Sequence, residues 1–251
     1  MPLREHLEEL RRTLIRCSVA VAALFVAGVI LEAPLLRFLW IPWEATRADL
    51  VEAGLRDPGP LQYLSATEGL ITALKTALAA ALVVGAPYLL WELWRFIGVG
   101  LVERERRAVR RAFVPGVLLF AIGLCFGFGV LLPYGLAYLV SYLDPELAVA
   151  NVTLTAYFRF VVGLTVLMGF IFELPLVMWA VARAGLIRAA TLSSSRRIAI
   201  LLMAIFAAVI TPPDPVTMLL VGAPMVVLYE IGLALAGMAE RARARADAQR
   251  L

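Results

Sequence analysis

The sequence predicts an all-α membrane protein with six transmembrane helices, the last two short, and both termini in the cytoplasm. Three observations carry that prediction. Hydrophobic residues make up 62% of the chain and charged residues only 17%, against roughly 25% charged in soluble globular proteins. Six apolar runs follow one another, at approximately 14–33, 67–91, 113–138, 156–182, 198–210 and 217–237. Eighteen arginines fall in the segments this pattern puts on the N-terminal side, and only Arg37, Arg47 and Arg56 fall in those opposite. By the positive-inside rule the N-terminal side is therefore cytoplasmic. One membrane domain over residues 1–251 accounts for the length, at about 20 residues per span plus loops.

The elements follow in order. Leu3, Leu7, Leu10 and Leu14 recur at helical spacing, which predicts an amphipathic cytoplasmic helix over 2–13 running into the first span. Arg4–Glu8 and Glu8–Arg12 stand at i,i+4 and can pair along it. Glu5, Glu8 and Glu9 in this segment suit a folded helix better than the basic leader of a signal peptide, so the first run reads as a retained span. The stretch 34–66 is the longest outer loop. Its Trp40 and Trp43, with Pro34, Pro42, Pro58 and Pro60, suit a partly interfacial cap. Gly123 and Gly127 form a GxxxG close-packing face in the third span. The fifth run ends at Thr211-Pro212-Pro213-Asp214-Pro215, where the prolines forbid further helix, and the sixth begins at once. These two runs read as a hairpin of short helices, and the tail 238–251 as a fraying helix.

Catalysis has little to stand on. Cys17 and Cys125 lie in apolar runs and read as packing residues, and a single His excludes a multi-His metal site. No HExxH, GxSxG or Walker-type loop occurs, and no nucleophile–base pair sits inside the spans. The chain reads as a non-enzyme without a cofactor.

Several charged residues need a reason. Glu173, in Phe172-Glu173-Leu174-Pro175, lies inside the fourth span, where a carboxylate costs roughly 2.5–3.5 kcal/mol on insertion scales. It is either a protonated, packed Glu bonded to a carbonyl freed by Pro175, or a polar point in a water-reachable face that meets a partner. Lys75, the one lysine, could pair with Glu68, and Arg159 can snorkel to the outer interface. Between the second and third spans, Glu103 and Glu105 stand near Phe96 and a glycine-flexed Gly98-Val99-Gly100. Carboxylates beside an aromatic suit a guanidinium ligand, although Arg104, Arg106 and Arg107 could equally neutralise them locally.

Five segments in order on this topology resemble the TatC family: HLEELRRTL at the start, WRFIGVGLVERERR after the second span, FELP in the fourth, TPPD after the fifth and LYEIG in the sixth. The resemblance covers nearly the whole chain. It implies a cupped, six-helix receptor in the bacterial plasma membrane that binds twin-arginine signal peptides of folded cargo. It also implies self-association, work with TatA- and TatB-type single-span partners, and export driven by the proton-motive force. Carried over motif by motif, Glu9 and Arg11 match the family's N-terminal determinant. Phe96 and Glu105 match its signal-recognition loop, with Glu103 as a neighbouring carboxylate. Glu173 matches the acid of the concave face, and Pro42 a functional proline of the first outer loop. Asp214, Met218 and Glu230 fall where partner spans dock, Met218 standing where many members have a glutamine. Read from hydropathy alone, a secondary transporter for a small solute is the alternative.

Overall fold

A computed structural model describes residues 3–55, 57–99, 103–142, 151–210 and 214–248. The described residues are all-helical, with 87% of them in helices. Among the described residues the β-type pairing is a single isolated parallel bridge between Gln62 and Thr153. The helices are α1 (Leu3–Ile30), α2 (Glu32–Glu52), α3 (Glu68–Val99), α4 (Glu103–Phe126), a π-helical segment (Gly127–Leu131), α5 (Leu132–Ser141), α6 (Leu154–Phe172), α7 (Leu174–Arg183), α8 (Ala189–Ser194), α9 (Arg196–Ile210) and α10 (Pro215–Ala248).

Five stretches among the described residues are long and apolar enough to cross a membrane: Leu7–Ile30, Glu68–Leu93, Ala112–Ser141, Leu154–Arg183 and Pro215–Arg245. The fifth apolar run forms α9, whose 15 residues extend about 22 Å at 1.5 Å per residue, short of a hydrocarbon layer of about 30 Å. The last helix departs from expectation. α10 is 34 residues long, so the final pair is one short helix and one long one. Two causes extend it. Alanine and arginine are strong helix formers, and Ala236 and Ala239 are buried against Ala182 of α7, which docks the start of the tail. α3 also runs further than expected, through Trp94–Val99, and α4 already begins at Glu103.

The chain divides into two compact units. One comprises Met1–Cys17, Ala86–Gly123 and Gly169–Leu251. Here small residues let helices approach closely: a Cβ on Gly232 of α10 would meet Met178 and stand 3.2 Å from the Pro175 Cα of α7. The Tyr229 hydroxyl donates to the Leu192 carbonyl (2.7 Å), and the Ala189 amide donates to the Glu240 carboxylate (3.0 Å), which tie α8 to α10. Aromatic edges fill the remaining space, with Trp91–Phe113 centroids at 5.1 Å and Phe120–Phe170 at 5.4 Å.

The other unit comprises Ser18–Gly85 and Leu124–Met168. The stretch read as an outer cap folds as α2 from Glu32 to Glu52, with Pro34 in its first turn. Pro42 is buried inside α2, and the Thr46 hydroxyl donates to its carbonyl at 2.8 Å. One residue on, Trp43 packs edge-on against Tyr157 of α6 at 5.6 Å, and the Tyr157 hydroxyl donates to the Leu39 carbonyl at 2.7 Å. Gly127 opens the π-helical segment where a Cβ would stand 3.1 Å from the Thr165 Cα, so the expected close-packing role is met there. Glu68 is not a partner of Lys75. Its two oxygens accept the Leu64 amide (2.6 Å) and the Thr155 amide (2.8 Å), which joins the start of α3 to the start of α6, while Lys75 is exposed. Orphan amides at a helix start are strong donors, and the carboxylate satisfies them.

Candidate functional site

Glu9 lies in the second turn of α1, and its Oε1 is 3.3 Å from the guanidinium of Arg16 and 3.3 Å from that of Arg95, 86 residues away on α3. Between these two arginines sits Glu92, which sequence reading had passed over. Its side chain is nearly inaccessible, at 2% exposure. Arg16 approaches its Oε2 at 3.1 Å, and Arg95 its Oε1 at 3.4 Å. Two carboxylates and two guanidiniums thus alternate around one neutral cluster carried by two helices. A signal for Glu92 was available. It falls one residue past the end of the second apolar run and shares a helical face with Tyr88, Arg95 and Phe96. Treating the end of the run as the end of the helix hid that face. Such a cluster has the acceptors a guanidinium needs: planar carboxylates held on rigid elements, with an aromatic one turn away.

Glu173 stands at the break between α6 and α7. Pro175 lacks the N–H that would continue the ladder, so the chain turns there with the Glu173 amide donating to the Phe170 carbonyl at 3.1 Å. The side chain is 6% exposed, and neither carboxyl oxygen accepts a hydrogen bond among the described residues. A bond to a freed carbonyl, the structural explanation open from sequence, is thus missing among them. Gly116 of α4 makes room for the group: a Cβ there would stand 3.3 and 3.5 Å from its oxygens. A buried polar group without a partner is costly, and that cost calls for a reason.

The other expected residues have varied surroundings. Arg11 is exposed on α1, and Phe96 is half-buried in the last turns of α3. Glu103 and Glu105 lie in the first turn of α4, and their side chains fall outside the described residues. Asp214 caps α10: its Oδ1 accepts the Thr217 amide at 2.7 Å, its Oδ2 meets the Thr217 hydroxyl, and Pro215 opens the helix. Met218 is half-buried one turn on. Glu230 pairs with Arg196 of α9 at 2.7 Å, with both side chains about half exposed. Pro42 belongs to the other compact unit, beside the Trp43–Tyr157 contact.

Comparison with known proteins gives a consistent result. The sequence model described as Sec-independent protein translocase protein (TatC) matches residues 5–224. The Sec-independent protein translocase protein TatC of Desulforapulum autotrophicum is 32% identical over 92% of this chain and 83% of its own length. That of Helicobacter pylori is 34% identical over 94% and 87%, and TatCy of Bacillus subtilis 30% identical over 99% and 93%. A crystal structure of the twin arginine translocase receptor TatC superposes with a TM-score of 0.80 at 30% identity, covering 93% of this chain and 99% of that one.

Proposed function

Since the chain belongs to the TatC family, and is therefore a membrane component of the Sec-independent protein translocase rather than a catalytic enzyme, we propose that it is the translocase's receptor for twin-arginine signal peptides. The observation that carries this reading is the juxtaposition of Glu9 on α1 with Glu92 on α3, bridged by Arg16 and Arg95. Two consecutive arginines need carboxylate partners. Each carboxylate can accept two parallel N–H bonds from a planar guanidinium, which the compact ammonium of lysine cannot supply. Glu105 is the first acceptor and Glu9 the second, with Glu103 a neighbouring reserve and Arg11 and Phe96 bordering them. The apolar segment of the signal peptide then runs towards Glu173, whose buried carboxyl gives it a polar end-point.

In this reading both termini face the cytoplasm of a bacterial plasma membrane, as the arginine distribution implies. TatA- and TatB-type single-span proteins dock around Asp214, Met218 and Glu230, copies of the receptor self-associate, and the proton-motive force drives transport. The test is the binding of a twin-Arg and a twin-Lys signal peptide to the purified protein and to Glu105→Gln. The twin-Arg peptide should bind the wild type about tenfold more tightly, a difference of about 1.4 kcal/mol, and Glu105→Gln should erase most of that preference. Equal binding of the two peptides by the wild type would remove the reading.

A further inference from the structure

The contacts in the Glu9–Arg16–Glu92–Arg95 cluster are long. They measure 3.1 to 3.4 Å, whereas Arg12–Glu8, Arg47–Asp57 and Arg196–Glu230 close to 2.6–2.8 Å. Charge-assisted N–H···O bonds settle near 2.7–2.9 Å. The cluster is also incompletely bonded. Glu92 Oε2 meets Arg16 as an ion pair at 3.1 Å without hydrogen-bond geometry, Glu92 Oε1 accepts only long bonds from Arg95 and the Tyr88 hydroxyl (3.4 Å each), and the buried Arg16 Nε has no hydrogen-bond partner among the described residues. Removing charges from water costs free energy that only well-made bonds return. A nearly inaccessible carboxylate held by such loose contacts is therefore a poor structural clasp and a good acceptor for a better-placed guanidinium.

The two arginines are not equivalent. Arg16 is 33% exposed and makes the shortest contact, to Glu92. Arg95 is 40% exposed, makes contacts of 3.3 and 3.4 Å, and sits in the last turns of α3. We propose that Arg95 is a displaceable internal ligand: it occupies the acceptors between Glu9 and Glu92 in the empty receptor, and an arginine of the arriving peptide takes its place while Arg16 stays. This rests on the signal-peptide reading above and adds to it a regulation of the same site. Exchange keeps the cluster neutral, with two carboxylates facing two guanidiniums before and after, and Arg95 released to water. A lysine ammonium entering there would replace a planar fork with a point charge and leave Glu92 under-bonded. The internal arginine thereby sets a threshold that only a better guanidinium ligand passes, and Glu92 becomes a specificity-determining residue of the receptor.

The experiment measures binding of the twin-Arg and twin-Lys peptides to the full chain in lipid nanodiscs, for wild type, Arg95→Gln and Glu92→Gln. Arg95→Gln should bind the twin-Arg peptide about threefold more tightly, the size of a partly exposed ion pair, because no internal competitor remains. Glu92→Gln should bind it about tenfold more weakly and discriminate less against lysine. Should Arg95→Gln fail to fold, Arg95→Lys keeps the charge without the fork and should still tighten binding. If the wild type prefers arginine but every Arg95 variant that folds binds equally or more weakly, the exchange is refuted and the receptor reading survives. If the wild type shows no preference for arginine, both fall together.

Discussion

The carboxyl group of Glu173 lies over Gly116, close enough that a single added methyl on the glycine would touch both of its oxygens. The same methyl would stand 3.2 Å from the tip of Leu176, a flexible neighbour that can turn aside. Gly116→Ala should therefore cost about 1 kcal/mol or less, while Gly116→Leu overfills the space, expels the carboxyl and costs roughly 1–3 kcal/mol. Glu173→Gln keeps the volume without the charge and should melt within a few degrees of wild type. Thermal unfolding in detergent checks all three, and a large loss in Gly116→Ala would show that Leu176 cannot yield.

Tyr157 holds α6 to α2 through its ring contact with Trp43 and its hydroxyl bond to the Leu39 carbonyl. Tyr157→Phe deletes only the second and should cost about 1 kcal/mol. Trp43→Ala removes one of the largest fully buried side chains and should cost roughly 3–5 kcal/mol. Equal losses in the two variants would mean that the hydroxyl, not the ring, does most of the holding.

Gly185 ends α7 with φ +72°, and its amide donates to the Ala182 carbonyl at 3.0 Å. The Arg243 guanidinium of α10 fills the space a side chain would need. Gly185→Ala should cost roughly 1–2 kcal/mol from the left-handed backbone alone, and more because Arg243 must move. The double change Gly185→Ala with Arg243→Ala recovers the second part only. Comparing the unfolding of the single and double variants separates the two.

Asp57 accepts a bidentate pair from Arg47 (2.8 and 2.6 Å) and the Gly59 amide at 2.9 Å. Those bonds, the Arg47 one first, pull its carboxyl down from 3.8 to about 2. A depressed folded-state value gives stability that is fully present above the unfolded value near 3.8 and lost as pH falls through about 2. Amide exchange at Gly59 should therefore be unchanged from neutral pH to about 4, allowing for its intrinsic pH dependence, and lose protection between 4 and 2. Arg47→Gln should move that loss to higher pH, and a loss already complete at pH 5 would contradict the pairing.

Much of this molecule is written in local patterns. The apolar runs located the five described stretches that are long and apolar enough to cross a membrane, the arginine distribution by itself carried the expected sidedness, and five short motifs in order pointed to the family that the comparisons bear out. Asp214 caps α10 through Thr217, a neighbour in sequence. Only the tertiary structure decided that Glu92 joins Glu9 in one charge cluster, that Glu68 serves backbone amides instead of Lys75, and that Ala236 and Ala239 of α10 pack against Ala182 of α7. The physical reason is the solvent. In a bilayer the face a helix shows to lipid is as apolar as the face it shows to its neighbour. Hydropathy therefore marks which segments span, while which faces meet, and so which distant charges find one another, is settled only by close packing.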